Sequence, residues 1–196
     1  MNITIVNFKG GVGKSMIAHQ LISGFDFHGY EIDPYGSLSD RLPNRVRRID
    51  ILQKELEQPI EDTIFDFGGF DDVKLDQAIE YSDLIIIPFI PTLETIQGTV
   101  DTLVRVASAN KPILMVPNMS QKENDINDAK FVFEETLGFE VEMFSMPMSV
   151  ALQTAINENK SIGELARQGG IKAYAYKKGS QLMSGLHAKI REYQNI

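Results

Sequence analysis

Apolar runs of strand length recur along the chain: ITIV at 3–6, TIFDF at 63–67, LIIIPF at 84–89, PILMVPN at 112–118 and EVEMFSMP at 140–147. Continuous apolar runs this short, rather than alternating ones, are expected of strands buried on both faces of a parallel sheet. A shorter strand is predicted through YEID, residues 30–33. The intervals have helical spacing. KSMIAHQLI carries Met16, Ile17, Leu21 and Ile22, and further helices are predicted over about 70–82, 93–109 and 124–137. The tail, about 171–194, reads as a helix with Leu182, Leu186, Ile190 and Tyr193 along one side. Strands alternating with helices predict an α/β fold, a mainly parallel twisted sheet with helices on both faces. No repeat, low-complexity tract or linker interrupts it. A chain of 196 residues suffices for one core, so a single domain over 1–196 is expected.

Between the first strand and the first helix lies GGVGKS, residues 10–15. Strand, glycine loop and helix are the setting that a phosphate-binding loop requires. Gly10, Gly11, Val12 and Gly13 let successive N–H groups turn inward onto phosphate oxygens, and the helix start at Ser15 and Met16 adds its partial positive charge. Lys14 would reach the β- and γ-phosphates, and the Ser15 hydroxyl would hold Mg²⁺. This loop chemistry does not call for Lys9, which stands just before the glycines.

With Lys9 the stretch reads KGGVGKS, which resembles the deviant Walker A motif, K-G-G-x-x-K-[S/T], of the ParA/MinD superfamily of P-loop ATPases. The resemblance implies that Lys9 crosses a dimer interface to the nucleotide of the other subunit, and hence a homodimer on ATP binding. Two carboxylates suit the same chemistry. Asp66 in TIFDFGG stands at a strand's carboxyl end, the position of a Walker B residue, before the glycines of a switch loop. EIDPYGSL, residues 31–38, resembles the family's Walker A′ motif, D-x-D-P-Q-G-S, and places Asp33 where water is activated. Glu31 and Tyr35 depart from that motif, and the E-x-D form resembles StbB-like members associated with plasmid stability. Ser15, Asp33 and Asp66 would share the metal. Asn118 ends a buried strand, and the resemblance to related P-loop ATPases implies that its amide, both donor and acceptor, contacts adenine. Pro147 and Met148, in a stretch resembling the family's later adenine-lining segment, would complete that pocket.

Charge refines this picture. The formal net charge is −8, poor for binding nucleic acid, but Leu165–Arg191 holds no Asp or Glu and six cations: Arg167, Lys172, Lys177, Lys178, Lys189 and Arg191. These are candidate contacts to non-specific DNA. Arg41, Arg45, Arg47 and Arg48 form a second basic cluster. The chain has no cysteine, which excludes disulfides and a cysteine-held iron–sulfur cluster of the kind the nitrogenase iron protein builds on a similar loop. The N-terminus enters a strand directly and no apolar run approaches 18 residues, so neither signal peptide nor membrane span is expected. With no added N-terminal helix-turn-helix, the resemblance implies a short, ATPase-only member. It would be cytoplasmic, nucleoid-associated in its ATP form and stimulated by a ParB-like centromere-binding protein, and would partition a plasmid or chromosome. Two other readings stand beside it: a MinD-like membrane-associated positional regulator, for which REYQNI at the C-terminus is a poor insertion face, and a dethiobiotin-synthetase-like metabolic enzyme, which needs no lysine at position 9.

Overall fold

The computed structural model describes residues 1–60 and 62–195, with the side chains of Lys172 and Asn195 outside the description. The chain runs β1 (Ile3–Ile5), α1 (Lys14–Phe25), β2 (His28–Ile32), α2 (Leu38–Arg41), β3 (Val46–Arg48), β4 (Thr63–Phe67), α3 (Leu75–Tyr81) and β5 (Leu84–Phe89). It continues through α4 (Leu93–Ala107), β6 (Ile113–Ser120), α5 (Glu123–Leu137), β7 (Glu142–Met143), β8 (Met146–Pro147), α6 (Val150–Asn157), α7 (Ile162–Arg167) and α8 (Gly170–Glu192), ending in a 3₁₀ turn at Tyr193–Asn195.

All strand pairings are parallel, in the order β3-β2-β4-β1-β5-β6-β7, with β8 also on β6. The pleat sorts the central apolar runs onto two faces. Ile3, Ile5, Ile64, Leu84 and Ile86 pack under α1, α6, α7 and α8. Phe65, Phe67, Ile85, Ile87 and Phe89 pack under α3, α4 and α5. Continuous apolar runs are thus needed because both faces are covered. The same alternation puts Glu31 and Asp66, register partners on β2 and β4, on one face. The segments that follow β1, β2, β4 and β6 meet at the carboxyl edge of the sheet, where ligands of open α/β sheets bind.

Three predicted elements are revised. The helix expected from residue 70 starts at Leu75, because Asp72 caps the turn before it: its carboxylate accepts from the Lys74 N–H at 2.8 Å and pairs with the buried Lys74 ammonium at 2.9 Å. The strand expected over 140–147 is two short pieces, because β6 is irregular between Asn118 and Ser120, with Met119 at φ 53°. The tail helix is present, and its buried line runs through Gly179, Met183, Leu186 and Ile190, with Leu182 and Tyr193 at its margin. No described helix is long and apolar enough to cross a membrane.

α8 is therefore held by apolar burial against the sheet's α1 face. Leu186→Ala, at a fully buried position, is expected to cost about 2–5 kcal/mol, read as a lower urea midpoint; an unchanged midpoint would mean that α8 does not belong to the cooperative core.

Candidate functional site

The loop from Asn7 to Met16 follows β1 and ends as the first turn of α1. Gly13 has φ 99°, and a Cβ there would collide with the Asn118 side chain, so both backbone angle and space call for glycine. No side chain caps α1 and its first turn carries no acid, which leaves the helix start free to receive an anion. Lys14 is buried and folded back, donating from Nζ to the carbonyl oxygens of Asn7 at 2.9 Å and Lys9 at 3.0 Å. Burial lowers its pKa, against the pull of Asp66 and Asp33.

Asp66 is fully buried and neither carboxylate oxygen has a hydrogen-bond partner. Burial pushes its pKa up to about 7; Ser15 and Lys14, its nearest polar company, oppose the shift, and Glu31 and Asp33 add to it. Asp33 is half-buried at the end of β2, with Oδ1 accepting from the Tyr35 N–H at 2.9 Å. Past β4, Gly69 brings its backbone against the loop: a Cβ there would lie 3.2 Å from the Gly10 nitrogen. Lys14, Ser15, Asp33 and Asp66 are therefore gathered at one place. An orphaned, buried carboxylate beside a hydroxyl and a second carboxylate fits a hard divalent cation such as Mg²⁺, which takes oxygen ligands.

Glu31 has another task. It is buried, but its oxygens accept from the Leu38 N–H at 2.6 Å, the Ser39 hydroxyl at 2.6 Å and Arg48 Nε at 3.0 Å. It caps α2 and shapes the turn after Asp33, while Tyr35 is 95% exposed and touches none of this.

Lys9 turns outward along α4. Its Nζ pairs with Glu94 at 3.0 Å. Pattern reading passed over Asn7 and the α4 threonines beside it. The buried Asn7 amide donates to the Pro88 carbonyl and the Thr99 hydroxyl, both at 2.9 Å, and accepts from the Lys9 N–H at 2.9 Å. Thr102 Oγ1 accepts from the Phe8 N–H at 2.9 Å. The available signal was the spacing Thr95, Thr99, Thr102, a polar line facing inward on a helix.

Asn118 reaches the loop, but its Nδ2 donates to the Val12 carbonyl at 2.9 Å and its Oδ1 accepts from the Met119 N–H. Pro147 and Met148 line a 790 Å³ cleft between the start of α6 and α8, together with Phe144 and Tyr176 and with no residue of 7–16. The basic candidates divide. Lys189 pairs with Glu142 and Glu192, and Arg191 pairs with Asp62 and lies over the Phe27 ring. Arg167, Lys177 and Lys178 are exposed, and no ion pair involves them among the described residues. The Lys172 side chain lies outside the described residues. Each arginine of the 41–48 cluster is engaged: Arg41 with the Ile156 carbonyl, Arg45 with Asp26, Arg47 with Glu57 and Arg48 with Glu31 and Asp40.

Comparison with known proteins agrees with this geometry. The profile of a family described as CobQ/CobB/MinD/ParA nucleotide binding domain matches residues 3–162. No curated protein sequence matches the chain. Among solved structures it is similar to apo McdA of Cyanothece at 16% identity, covering 93% of this chain and 98% of that one with TM-score 0.62. It is similar to a protein described as a plasmid partition protein of Borrelia burgdorferi B31, bound to AMPPNP, at 17% identity, 96% and 98% coverage and TM-score 0.62. It is also similar to the MinD cell division protein of Aquifex aeolicus at 15% identity, 95% and 96% coverage and TM-score 0.60. At such identities the likeness shows the fold.

The raised Asp66 carboxyl has a definite sign for stability. A group that holds its proton more tightly in the fold than in the unfolded chain stabilises the fold at low pH and loses that contribution as pH rises toward about 7. The nucleotide-free protein is expected to lose stability, on the order of a few kcal/mol, between about pH 4 and 7 relative to Asp66→Asn. Urea unfolding of both proteins across this range measures it. Parallel profiles would mean that Asp66 is not a strained, desolvated acid.

Proposed function

This chain belongs to the CobQ/CobB/MinD/ParA nucleotide-binding family, and we propose that it works there as an ATP-hydrolysing switch whose ATP form is a dimer. The observation that carries the reading is the division of labour between two lysines on one glycine loop. Lys14 is folded inward within the field of Asp66 and Asp33, whereas Lys9 leaves the loop on its outer side, where its ammonium pairs with the exposed Glu94.

On binding, the triphosphate would replace the Asn7 and Lys9 carbonyls as partner of the Lys14 ammonium and lie against the loop N–H groups and the start of α1. Ser15, Asp66 and Asp33 would hold Mg²⁺, which supplies charge neutralisation on the phosphates when bound. Asp33 has one oxygen engaged by the Tyr35 N–H and is the carboxylate that would orient the attacking water and receive its proton. Lys9, released from Glu94, would reach the nucleotide of the partner subunit and stabilise charge on the transferred phosphoryl group, as a cation supplied in trans does.

The ATP dimer would bind DNA without sequence preference through Arg167, Lys177 and Lys178, two weak faces engaging one duplex, and a ParB-like partner would trigger hydrolysis and release. The net charge of −8 would keep the monomer off DNA. Exposed Ile171 and Tyr174, 95% and 81% accessible beside Lys177 and Lys178, favour a second reading in which the same face meets a lipid surface, as for a MinD-like regulator. For the metabolic-enzyme reading a second small-substrate pocket would be the favourable feature, and the 790 Å³ cleft at Pro147 and Met148 is set apart from residues 7–16.

Three variants separate the roles. Lys14→Ala is expected to lose ATP binding. Lys9→Ala should bind ATP within about threefold of wild type yet remain monomeric, and Asp33→Ala should bind and dimerise while turning over at least about a hundredfold more slowly. Fluorescent-nucleotide titration, light scattering and phosphate release read the three properties. A Lys9→Ala protein that dimerises and hydrolyses normally would sink the trans-lysine assignment.

Charge reversal at Lys177 and Lys178 is expected to abolish ATP-dependent DNA binding in an electrophoretic assay and leave the dimer intact. Wild-type protein that ignores DNA at low salt but sediments with anionic phospholipid vesicles would move the second reading ahead.

A further inference from the structure

Lys9 leaves the loop from a backbone held by α4 and the end of β5. The Phe8 N–H donates to Thr102 Oγ1 at 2.9 Å, and the Lys9 N–H donates to Asn7 Oδ1 at 2.9 Å. Asn7 in turn is keyed to α4 through Thr99 Oγ1 and to the end of β5 through the Pro88 carbonyl. The hydroxyl protons are also spent, Thr99 donating to the Thr95 carbonyl at 2.8 Å and Thr102 to the Gly98 carbonyl at 2.9 Å. Asn7, Thr99 and Thr102 are each 0% exposed, so the acceptors of the Phe8 and Lys9 N–H groups are fixed in the interior, although those N–H groups themselves are only partly buried. The Lys9 stem lies along the same helix, where a Cβ added at Gly98 would sit 3.5 Å from Lys9 Cβ, and its ammonium ends on Glu94.

Lys14 is the other hold on this segment, through the carbonyls of Asn7 and Lys9. A lysine that turns to bind phosphates gives up those bonds. In the nucleotide-bound protein the direction of residues 7–9 then depends on the α4 threonines and on the bond from Asn7 to the Pro88 carbonyl of β5.

We infer that Asn7, Thr99 and Thr102 are positioning residues that aim Lys9 across the dimer interface, and that Glu94 is the resting partner from which Lys9 must be released. This inference rests on the dimer reading above. It assigns α4 two opposed effects on one side chain. The buried threonines and Asn7 fix where Lys9 starts, and the exposed carboxylate holds it at home. The two parts differ in strength. A buried N–H left without its acceptor is worth on the order of tenfold in an equilibrium, whereas an exposed ion pair is worth about two- to fivefold.

The test compares Thr102→Val, Thr102→Ser, Asn7→Ala and Glu94→Gln with wild type and Lys9→Ala, in ATP affinity, ATP-dependent dimerisation, and kcat against KM. Thr102→Val keeps the side-chain shape and removes the acceptor of the Phe8 N–H. It is expected to bind ATP within about threefold of wild type while dimerisation and kcat fall on the order of tenfold and KM stays level. Thr102→Ser restores both, Asn7→Ala repeats the kcat loss, and Glu94→Gln moves the other way, with dimerisation about two- to fivefold tighter. Loss of ATP affinity in step with turnover would show a loop scaffold rather than an aiming device and would overturn the inference. So would Thr102→Val and Asn7→Ala behaving as wild type. If Lys9→Ala is defective while those two are normal, this inference falls and the dimer reading stands; if wild type itself never dimerises with ATP, both fall.

Discussion

A carboxylate sealed at the end of a central strand, with no donor on either oxygen, is the constraint around which this molecule is arranged. Asp66 shares a sheet face with apolar Ile64, beneath α1, and desolvation there disfavours its charge. Its surroundings make sense as partial compensation. Lys14 is drawn inward although burial costs its own charge, and Ser15 stands close. Glu31, the register neighbour of Asp66, would be a second uncompensated acid on the same face, but the α2 amides, Ser39 and Arg48 use its oxygens fully. One acid is tied down as structure and the other is left without a hydrogen-bond partner.

The remaining charge follows a related logic of commitment. The arginines after β2 are fastened within the fold, so that edge of the sheet offers little free positive potential. In the tail, Lys189 and Arg191 fasten α8 to Glu142 and Asp62. Free cations gather toward the start of α8, at Arg167, Lys177 and Lys178, next to exposed Ile171 and Tyr174. A surface built there is small and mixed in character, and salt would screen it readily.

Much of this was legible in the sequence because it is local. The glycine loop and the buried runs 63–67 and 84–89 follow from motif and period, while Asp33 is placed beside them by the resemblance of EIDPYGSL to the Walker A′ motif. What was not legible depends on contacts distant in sequence. α2 and β3 are too short to show a period. The pairing of Lys189 with Glu142 and of Arg191 with Asp62 joins segments far apart, so a count of cations in 165–191 overstated the free charge. Glu31 departs from the Walker A′ motif at its first acidic position; that it caps α2 emerges only once Leu38 and Ser39 are placed over it. Asn7 and Thr102 lie 95 residues apart, and nothing periodic in the loop announces them.

The claim that Asp66 is the vacant ligand for a nucleotide-bound metal is tested most directly by proton release. A carboxyl near pKa 7 that meets Mg²⁺ must give up its proton. Calorimetric titration of Mg²⁺ with a non-hydrolysable ATP analogue, in buffers of different ionisation enthalpy near pH 6.5, counts the protons released. Mg²⁺ also displaces protons from the nucleotide's own terminal phosphate, so the account predicts that wild type releases a large fraction of one proton more than Asp66→Asn does. Equal proton release by the two proteins, with tight binding in both, would contradict it.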